Sequence, residues 1–276
     1  MNTTTVSLPS KQCICGTNIS ATSYAEVVEL CSRWIAQKRR SLSPVPARYI
    51  CVTSVHGVMT AREDPELRHS LNLADVATPD GMPVVWAMRS FGRKEQERVY
   101  GPTLMLKLCE RAEQEQHRVF LYGSSDEALA GLREKLRWKF PAIQFVGSIS
   151  PPFRPLTAEE EQDIQQRIRE ANPDLLFVGI STPKQEKWMA RQQQVLPGMV
   201  MVGVGAAFDF HAGRVKQAPK WMQDHGFEWL YRLLSEPKRL WRRYVLVTPM
   251  FLPHWALQFS GLAKYDSGQH SHEGIG

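Results

Sequence analysis

The sequence predicts an α/β protein in which helices flank a parallel β-sheet and a helical appendage follows at the C-terminus. Short apolar runs, among them 48–53, 118–122, 175–179 and 199–204, are separated by helical patterns of roughly ten to fifteen residues. This alternation is typical of strand–helix–strand units joined by right-handed crossovers. After about Gly213 the alternation stops, and the chain becomes rich in tryptophan, arginine and proline.

Local signals set the individual elements. Ser23 with Glu26, and Thr157 with Glu160, fit capping boxes, in which each side chain bonds the other residue's backbone N–H at a helix start. The apolar, β-branched runs between turn residues are predicted strands. In chain order the predicted strands are 12–15, 48–53, the run ending at Pro79, 118–122, 143–148, 175–179 and 199–204. The predicted helices are 23–38, 56–62, a short one from Asp64-Pro65, 82–89, 103–116, 126–140, 157–171 and 183–195.

The chain of 276 residues suits one large α/β domain with a full core. We expect a flexible N-terminus (1–11), a catalytic core (12–213), a basic and aromatic helical appendage (214–263) and a disordered tail (264–276). The N-terminal residues are polar, so we expect no signal peptide and a cytoplasmic location. The longest apolar run, 245–257, contains two prolines and a histidine and is too short to span a bilayer.

Composition narrows the class of partner. The net charge of +6 indicates an anionic partner: phosphate groups, nucleic acid or an acidic membrane face. The five cysteines are scattered, and the pair Cys13 and Cys15 has no second pair to complete a zinc site. Reduced thiols are therefore expected.

Asp80 is the main catalytic candidate. It follows the strand that ends at Pro79, and Gly81 then permits a tight turn before a helix that starts at Met82. This position is the carboxyl end of a strand, where open α/β sheets bind ligands. The alternative is that Asp80 is a turn residue that caps the helix.

Two other strand ends carry polar residues. Thr53 and Ser54 follow the strand 48–53, where they are either ligand contacts or a helix cap. Gln185 lies at the strand–loop–helix junction 181–186. A helix N-terminus there favours phosphate, although an ordinary capped helix has the same pattern.

The third strand end is glycine-rich. The stretch 203–209 resembles a dinucleotide fingerprint, but Phe208 stands in place of the third glycine and weakens that interpretation. Gly203 and Gly205 remain candidates for close backbone approach to a ligand.

The appendage concentrates positive charge among aromatic residues. Arg232, Arg239 and Arg242 are spaced seven and three apart, so they share one face if the helix is continuous, and not if Pro237 starts a new helix. Such a run is often only a solvated surface. Interleaved tryptophans and tyrosines favour instead a segment that lies at a membrane surface with its arginines on phosphate groups.

Five motifs in order carry a family resemblance: TPDGMP, ERVYGPTLM, STPKQEKW, GVGAAFDFHAG and WLYRLLSEPKRLWRRY. Together they resemble the WecG/TagA/CpsF glycosyltransferase family, from about Cys13 to Leu246.

The resemblance implies a Rossmann-like core whose appendage helps complete the active site. It also implies an inverting, metal-independent transferase without a resident cofactor. Such an enzyme moves a sugar, of N-acetylmannosamine or glucose type, from a UDP-sugar to an undecaprenyl-diphosphate-linked sugar. The family does so at the inner face of the membrane, in cell-surface or exopolysaccharide biosynthesis, so peripheral membrane association is expected.

The family's functional residues fall on matching positions of this sequence. Its proposed general base falls on Asp80 and its threonine on Thr53, whereas Ser54 stands where many members carry asparagine. Its remaining site residues fall on Arg98, Gln185, Arg232, Arg239 and Arg242. We expect the three appendage arginines to stabilise the departing diphosphate, and Arg98 and Gln185 to orient sugar or phosphate.

Two other classes of protein compete with this interpretation. A nicotinamide-dependent oxidoreductase requires an intact glycine fingerprint, which Phe208 interrupts. A nucleic-acid-binding module explains the positive charge but not the polar strand ends, so no nucleic-acid partner is expected.

Overall fold

The computed structural model describes residues 7–266, apart from the side chains of residues 220 and 224. Much of the predicted flexible N-terminus and of the predicted tail therefore lies outside the described residues. The strands are β1 (Lys11–Ile14), β2 (Thr17–Ser20), β3 (Arg48–Thr53), β4 (Val76–Pro79), β5 (Arg118–Gly123), β6 (Gln144–Ile149), β7 (Leu175–Gly179) and β8 (Val200–Gly203). The helices of the core are α1 (Tyr24–Arg40), α2 (Val55–Glu63), α3 (Pro65–Leu73), α4 (Met82–Ser90), α5 (Gly101–Gln114), α6 (Asp126–Lys139), α7 (Ala158–Ala171), α8 (Lys184–Gln192) and α9 (Ala207–His211). The appendage contains α10 (Lys220–Asp224), α11 (Glu228–Ser235), α12 (Pro237–Trp241) and α13 (Phe251–Phe259).

Within the described residues the main sheet has six strands in the order β4-β3-β8-β7-β5-β6, and every neighbouring pair is parallel. The predicted α/β class and parallel sheet are confirmed. Because the strands are parallel, their carboxyl ends lie along one edge. The register pairs Thr53 with Pro79, so Ser54 and Asp80 leave the sheet side by side.

Both faces of the sheet are buried under helices, which explains the continuous apolar runs of its strands. Residues such as Ile50 and Phe177 pack toward α1, α5 and α6 in one cluster. Their neighbours Tyr49 and Leu176 pack on the opposite face, toward α3, α7 and α8. Successive residues of one strand thus belong to the two apolar clusters on opposite faces of the sheet.

The predicted helix starts agree with the structure where the signal was a capping box. Ser23 and Glu26 exchange side-chain and backbone hydrogen bonds at the start of α1, and Thr157 and Glu160 do so at α7. Asp64 accepts the backbone N–H of Leu67 and caps α3.

The N-terminal strand differs from its prediction. Instead of one strand over 12–15, residues 11–20 form an antiparallel hairpin of β1 and β2. Its turn is Cys15 and Gly16, with φ values of 49° and 90°, a conformation that glycine tolerates well. The hairpin lies beside the main sheet, where Ser20 Oγ accepts the backbone N–H of Ala77 at 3.0 Å.

The appendage is a broken helical path that returns to the core. Pro237 begins a new helix, α12, because proline fits the first turn of a helix and not its interior. A π-helical turn (242–247) and a short 3₁₀ turn (248–250) lead into α13. Phe251 at the start of α13 is 1% exposed and belongs to an apolar cluster with the hairpin, α2 and α4.

The described helices were also compared with the length that a bilayer requires. In residues 7–266 no helix is both long enough and apolar enough to cross a membrane.

Candidate active site

A cavity of about 410 Å³ opens at the carboxyl ends of β3, β4, β7 and β8, and the appendage forms its other wall. Its lining includes eight of the ten predicted site residues. These are Ser54, Asp80, Gln185, Gly203, Gly205, Arg232, Arg239 and Arg242. The other two, Thr53 and Arg98, lie directly behind it.

Asp80 lies at the wall of this cavity, held by its backbone. Its N–H donates to the Thr53 carbonyl at 3.0 Å, so the residue continues the line of β4 for one more position. The cap of α4 is Gly81, and no side chain caps this helix, so the helix-capping alternative for Asp80 is wrong. Among the described residues no donor lies within hydrogen-bonding distance of Asp80 Oδ1. That oxygen is buried and lies 3.7 Å from Arg98 Nη2, at ion-pair distance but without a hydrogen bond.

The surroundings of Asp80 raise its pKa above the usual 3.8 of an aspartate. Burial is the main cause, because a desolvated carboxylate is disfavoured. Arg98 opposes the shift, and the nearby carboxylate of Glu228 adds to it. The group is therefore a stronger base than a surface aspartate.

Arg98 supports Asp80 from behind. Its Nε donates to the Asp80 carbonyl, and its guanidinium lies 4.1 Å from the ring centre of Tyr100. Nη2 donates to Glu228 Oε2 at 2.6 Å, whereas Asp80 Oδ1 is 3.7 Å from the same nitrogen. Tyr100 also donates its hydroxyl to Glu228 Oε1, at 2.8 Å. Arg98 thus joins the core to α11 of the appendage.

At the carboxyl end of β3, Thr53 lies in the core and Ser54 lines the cavity. Thr53 is buried, and its hydroxyl donates to the Cys51 carbonyl. Ser54 occupies the cap position of α2, but its side chain makes no capping bond and instead accepts from Arg243 Nη2 at 3.2 Å. His56 also lines the cavity, and burial together with Arg243 lowers its pKa to about 4. The imidazole is therefore neutral at neutral pH.

Gln185 is held in one orientation by its neighbour. Its Nε2 donates to Glu186 Oε1 at 2.9 Å, and the Thr182 hydroxyl donates to the same oxygen. Glu186 is 1% exposed, and burial raises its pKa. With its NH₂ fixed in this way, Gln185 lines the cavity and has a buried carbonyl oxygen that accepts no hydrogen bond from the described residues.

The glycine-rich loop leaves room for this arrangement. A Cβ on Gly203 would lie 2.7 Å from Met189 Cε and 3.1 Å from Gln185 Nε2, so the missing side chain admits both residues. Gly205 has a φ of +54° and lies in the following turn. Phe208 is buried against Gly179 and is part of the core, which explains why the third glycine is absent. Close approach of a ligand to this backbone remains a prediction.

The three predicted arginines all line the cavity but differ in environment. Arg232 is half-buried over the ring of Phe210, and among the described residues its Nε has no partner. Arg239 is exposed and paired with Glu236, and Arg242 is exposed beside Trp241. Because α11 ends at Ser235, these arginines do not lie on one continuous helix.

Arg243 lines the same cavity and was not among the predicted residues. Its Nε is buried and meets no hydrogen-bond acceptor within residues 7–266, and in that range it forms no ion pair. Burial lowers the pKa of its guanidinium, and the nearby Arg232 and Arg239 act in the same direction. A buried cation without a counter-charge is unfavourable, so this position is suited to an anionic ligand.

Asp209 is a second lining residue that was not predicted as a site residue. It accepts a hydrogen bond from the Ser124 hydroxyl at 3.3 Å, at the carboxyl ends of β5 and β8. Its carboxylate can accept further hydrogen bonds from hydroxyl groups of a ligand.

The described residues were also searched for a metal centre. Within residues 7–266 no group of three or more histidine, cysteine or acidic side chains is arranged to hold a metal ion. The cationic side chains of the cavity come instead from the appendage.

Comparison with known proteins identifies the family of this chain. The family model described as "Glycosyl transferase WecG/TagA/CpsF family" matches residues 12–264. The chain is also 32% identical over 187 residues to an N-acetylglucosaminyldiphosphoundecaprenol N-acetyl-β-D-mannosaminyltransferase of Bacillus spizizenii. That alignment covers 68% of this chain and 70% of the relative. The chain is therefore a glycosyltransferase and belongs to the WecG/TagA/CpsF family.

Proposed function

We propose that this enzyme transfers an N-acetylmannosamine-type sugar from a UDP-sugar to an undecaprenyl-diphosphate-linked N-acetylglucosamine. The transfer inverts the anomeric configuration and uses no metal ion. The name of the Bacillus relative supports the choice of sugar and acceptor, and a glucose-type donor is the alternative within the family. The product then serves the synthesis of a cell-surface or exopolysaccharide.

One observation carries the proposed chemistry. The carboxylate of Asp80, whose Oδ1 accepts no hydrogen bond from the described residues, lies at a cavity to which the appendage contributes four guanidinium groups. An inverting transfer needs one base on the acceptor side and positive charge on the leaving-group side. This cavity contains both.

Asp80 acts as the general base. It takes the proton of the acceptor hydroxyl while that oxygen bonds to the anomeric carbon. The bond from the anomeric carbon to the diphosphate oxygen breaks, and its electron pair leaves with UDP. Because the hydroxyl attacks from the face opposite to UDP, the configuration inverts. The raised pKa of Asp80, caused mainly by burial, favours this role, since a base works best when its pKa approaches the working pH.

The leaving diphosphate gains negative charge as the bond breaks. Arg232 and Arg243 are the half-buried cations of the cavity, and Arg239 and Arg242 lie nearer its exposed rim. Charge-assisted hydrogen bonds from guanidinium groups stabilise such charge strongly where water is excluded. Gln185 offers a carbonyl oxygen to a hydroxyl or N–H of the substrates.

The acceptor is a lipid, so we propose that the enzyme works at the inner face of the cytoplasmic membrane as a peripheral protein. The arginine- and tryptophan-rich appendage supports this location. The nicotinamide and nucleic-acid alternatives have no such support, because Phe208 belongs to the core and the arginines of the appendage face a cavity.

Turnover by the Asp80→Asn variant tests the proposal. UDP release is measured with UDP-N-acetylmannosamine, other UDP-sugars and a short-chain lipid-diphosphate-N-acetylglucosamine, and the anomer formed is identified by NMR. Removing the base should slow transfer by roughly 10²- to 10⁴-fold without loss of folding. Asp163→Asn, an exposed carboxylate on α7, is the matched control and should act as wild type. Turnover of Asp80→Asn within tenfold of wild type would exclude Asp80 as the base.

A further inference from the structure

Glu228 is a buried carboxylate that the mechanism above does not use. It is 9% exposed, lies at the start of α11 in the appendage, and does not line the cavity. Both of its oxygens are engaged by the core: Oε2 by Arg98 at 2.6 Å and Oε1 by the Tyr100 hydroxyl at 2.8 Å. A buried carboxylate with two such partners is fixed in position.

Arg98 lies between two carboxylates, and the distances to them are unequal. Its Nη2 is 2.6 Å from Glu228 and 3.7 Å from Asp80 Oδ1, so the direct hydrogen bond goes to the appendage and not to the base. Asp80 Oδ1 accordingly accepts no hydrogen bond from any described residue. Without Glu228, the same guanidinium would have Asp80 as its nearest carboxylate.

We infer that Glu228 is a positioning residue: by holding Arg98, it keeps this cation 3.7 Å from Asp80 and out of a direct hydrogen bond with it, so that Asp80 remains a stronger base. An aspartate paired directly with arginine is a weak base, because the pair stabilises its ionised form. This inference rests on the proposed role of Asp80 as base. If Glu228 has this role, α11 must be docked on the core for Asp80 to act as the base. Docking of the appendage also closes the cavity.

Other ionisable groups also lie near Asp80, and their protonation states bear on the pH dependence of kcat/KM. Tyr24 and Tyr100 stay protonated near neutral pH, since burial raises the pKa of both. His56 is neutral above about pH 4, the value to which burial lowers its pKa. Arg243 is cationic and unchanged by a substitution at Glu228. The acid limb of the pH profile therefore reports mainly on Asp80, under the influence of the neighbouring charges of Arg98 and Glu228.

The test is the pH dependence of kcat/KM for wild type and Glu228→Gln. Glutamine keeps the shape and can still accept from Arg98 and Tyr100, but it removes a negative charge near Asp80. We expect the acid limb to move to lower pH by roughly one unit, because that charge no longer opposes ionisation of Asp80. At high pH the plateau should fall, because Asp80 becomes a weaker base. Glu228→Asp keeps the charge and should leave the limb close to its wild-type position.

A second measurement separates this role from a structural one. The Asp80 carboxyl can be titrated by ¹³C NMR in protein with labelled aspartate, with Asp80→Asn for assignment, and its pKa should fall in Glu228→Gln. If Glu228→Gln does not fold, Tyr100→Phe loosens the same carboxylate and should give a smaller shift in the same direction. An equal loss of rate at every pH, with an unchanged Asp80 titration, would overturn the inference. Full activity of Asp80→Asn would instead overturn the proposed base itself, so the two failures are distinguishable.

Discussion

At the scale of single residues, the charged side chains in and around the cavity differ in whether they have hydrogen-bond or ion-pair partners. Asp80 has one buried oxygen that accepts no hydrogen bond from the described residues, whereas Glu228 has both oxygens engaged. The same contrast separates the arginines. Arg239 already pairs with Glu236, but the guanidinium of Arg243 bonds a serine hydroxyl, lies 5.5 Å from the Tyr244 ring centre and forms no ion pair in residues 7–266. The arginine that lacks a partner is the one best suited to receive an anion.

We therefore predict that Arg243→Ala lowers kcat/KM by about 10²- to 10³-fold, the loss typical of removing one preorganised donor to developing charge. Arg243→Lys should restore only part of the rate, because an ammonium cannot contact Ser54 and a phosphate with the same planar geometry. The measurement is UDP release at varied donor concentration.

Arg33→Ala is the control for Arg243, since Arg33 lies in an exposed ion pair on α1. Surface pairs of this kind contribute little, and the control should keep wild-type rates. An Arg243→Ala enzyme with kinetics like those of the control would remove Arg243 from the diphosphate site.

At the scale of elements, the sequence predicted the core well and the appendage less well. Apolar runs and capping boxes are local signals, and they located the parallel strands and the starts of α1 and α7. The hairpin was missed because each of its strands has four residues and the turn at Cys15 and Gly16 was interpreted as the end of a single strand.

The appendage shows why part of the site could not be predicted. Spacing of seven and three selects Arg232, Arg239 and Arg242 only on a continuous helix, and the chain breaks at Glu236 and Pro237. The π-helical turn that starts at Arg242 then widens the path. Arg243 reaches Ser54 from this turn. The local sequence has no signal for a π turn, because it depends on packing of the appendage against the core.

Phe251 is the main apolar anchor between α13 and the core. It is 1% exposed, stacks with Trp255 and lies in a cluster with the hairpin, α2 and α4. Phe251→Ala should lower the free energy of unfolding by about 3–5 kcal/mol, the range for removing a fully buried phenylalanine. Because α13 would pack less firmly on the core, the rate of UDP release should also fall at temperatures where the core remains folded.

Urea unfolding and UDP release check this prediction together. Leu262→Ala is the matched control, as Leu262 is 80% exposed and just follows α13. Its free energy of unfolding should change by no more than about 0.5 kcal/mol. Equal stabilities of Phe251→Ala and the control would mean that α13 is not anchored in this way.

At the scale of the whole molecule, catalytic charge and apolar surface come from the same part of the chain. The appendage closes the cavity with arginines, yet it also exposes large apolar side chains that a soluble monomer seldom presents together. They include Trp221, Leu234, Trp241, Leu246 and Leu252. Since α11 also supplies Glu228, the proposed membrane contact and the proposed positioning of Arg98 beside Asp80 involve the same element.

We predict that the full chain binds vesicles containing anionic lipid and that binding weakens as salt rises, because basic residues near a charged bilayer contribute about 1 kcal/mol each. Leu234→Ser and Leu246→Ser should each weaken binding by about ten- to a hundredfold, as burial of a leucine in lipid contributes about 1.5–3 kcal/mol. Co-sedimentation with vesicles of defined composition measures this. The control is Leu42→Ser, which is even more exposed but lies in the loop before β3, at the amino ends of the strands. If both appendage variants bind as the Leu42→Ser control does, or if the wild type ignores vesicles at low salt, the appendage is not the membrane-binding surface. The lipid acceptor would then have to reach Asp80 by another route.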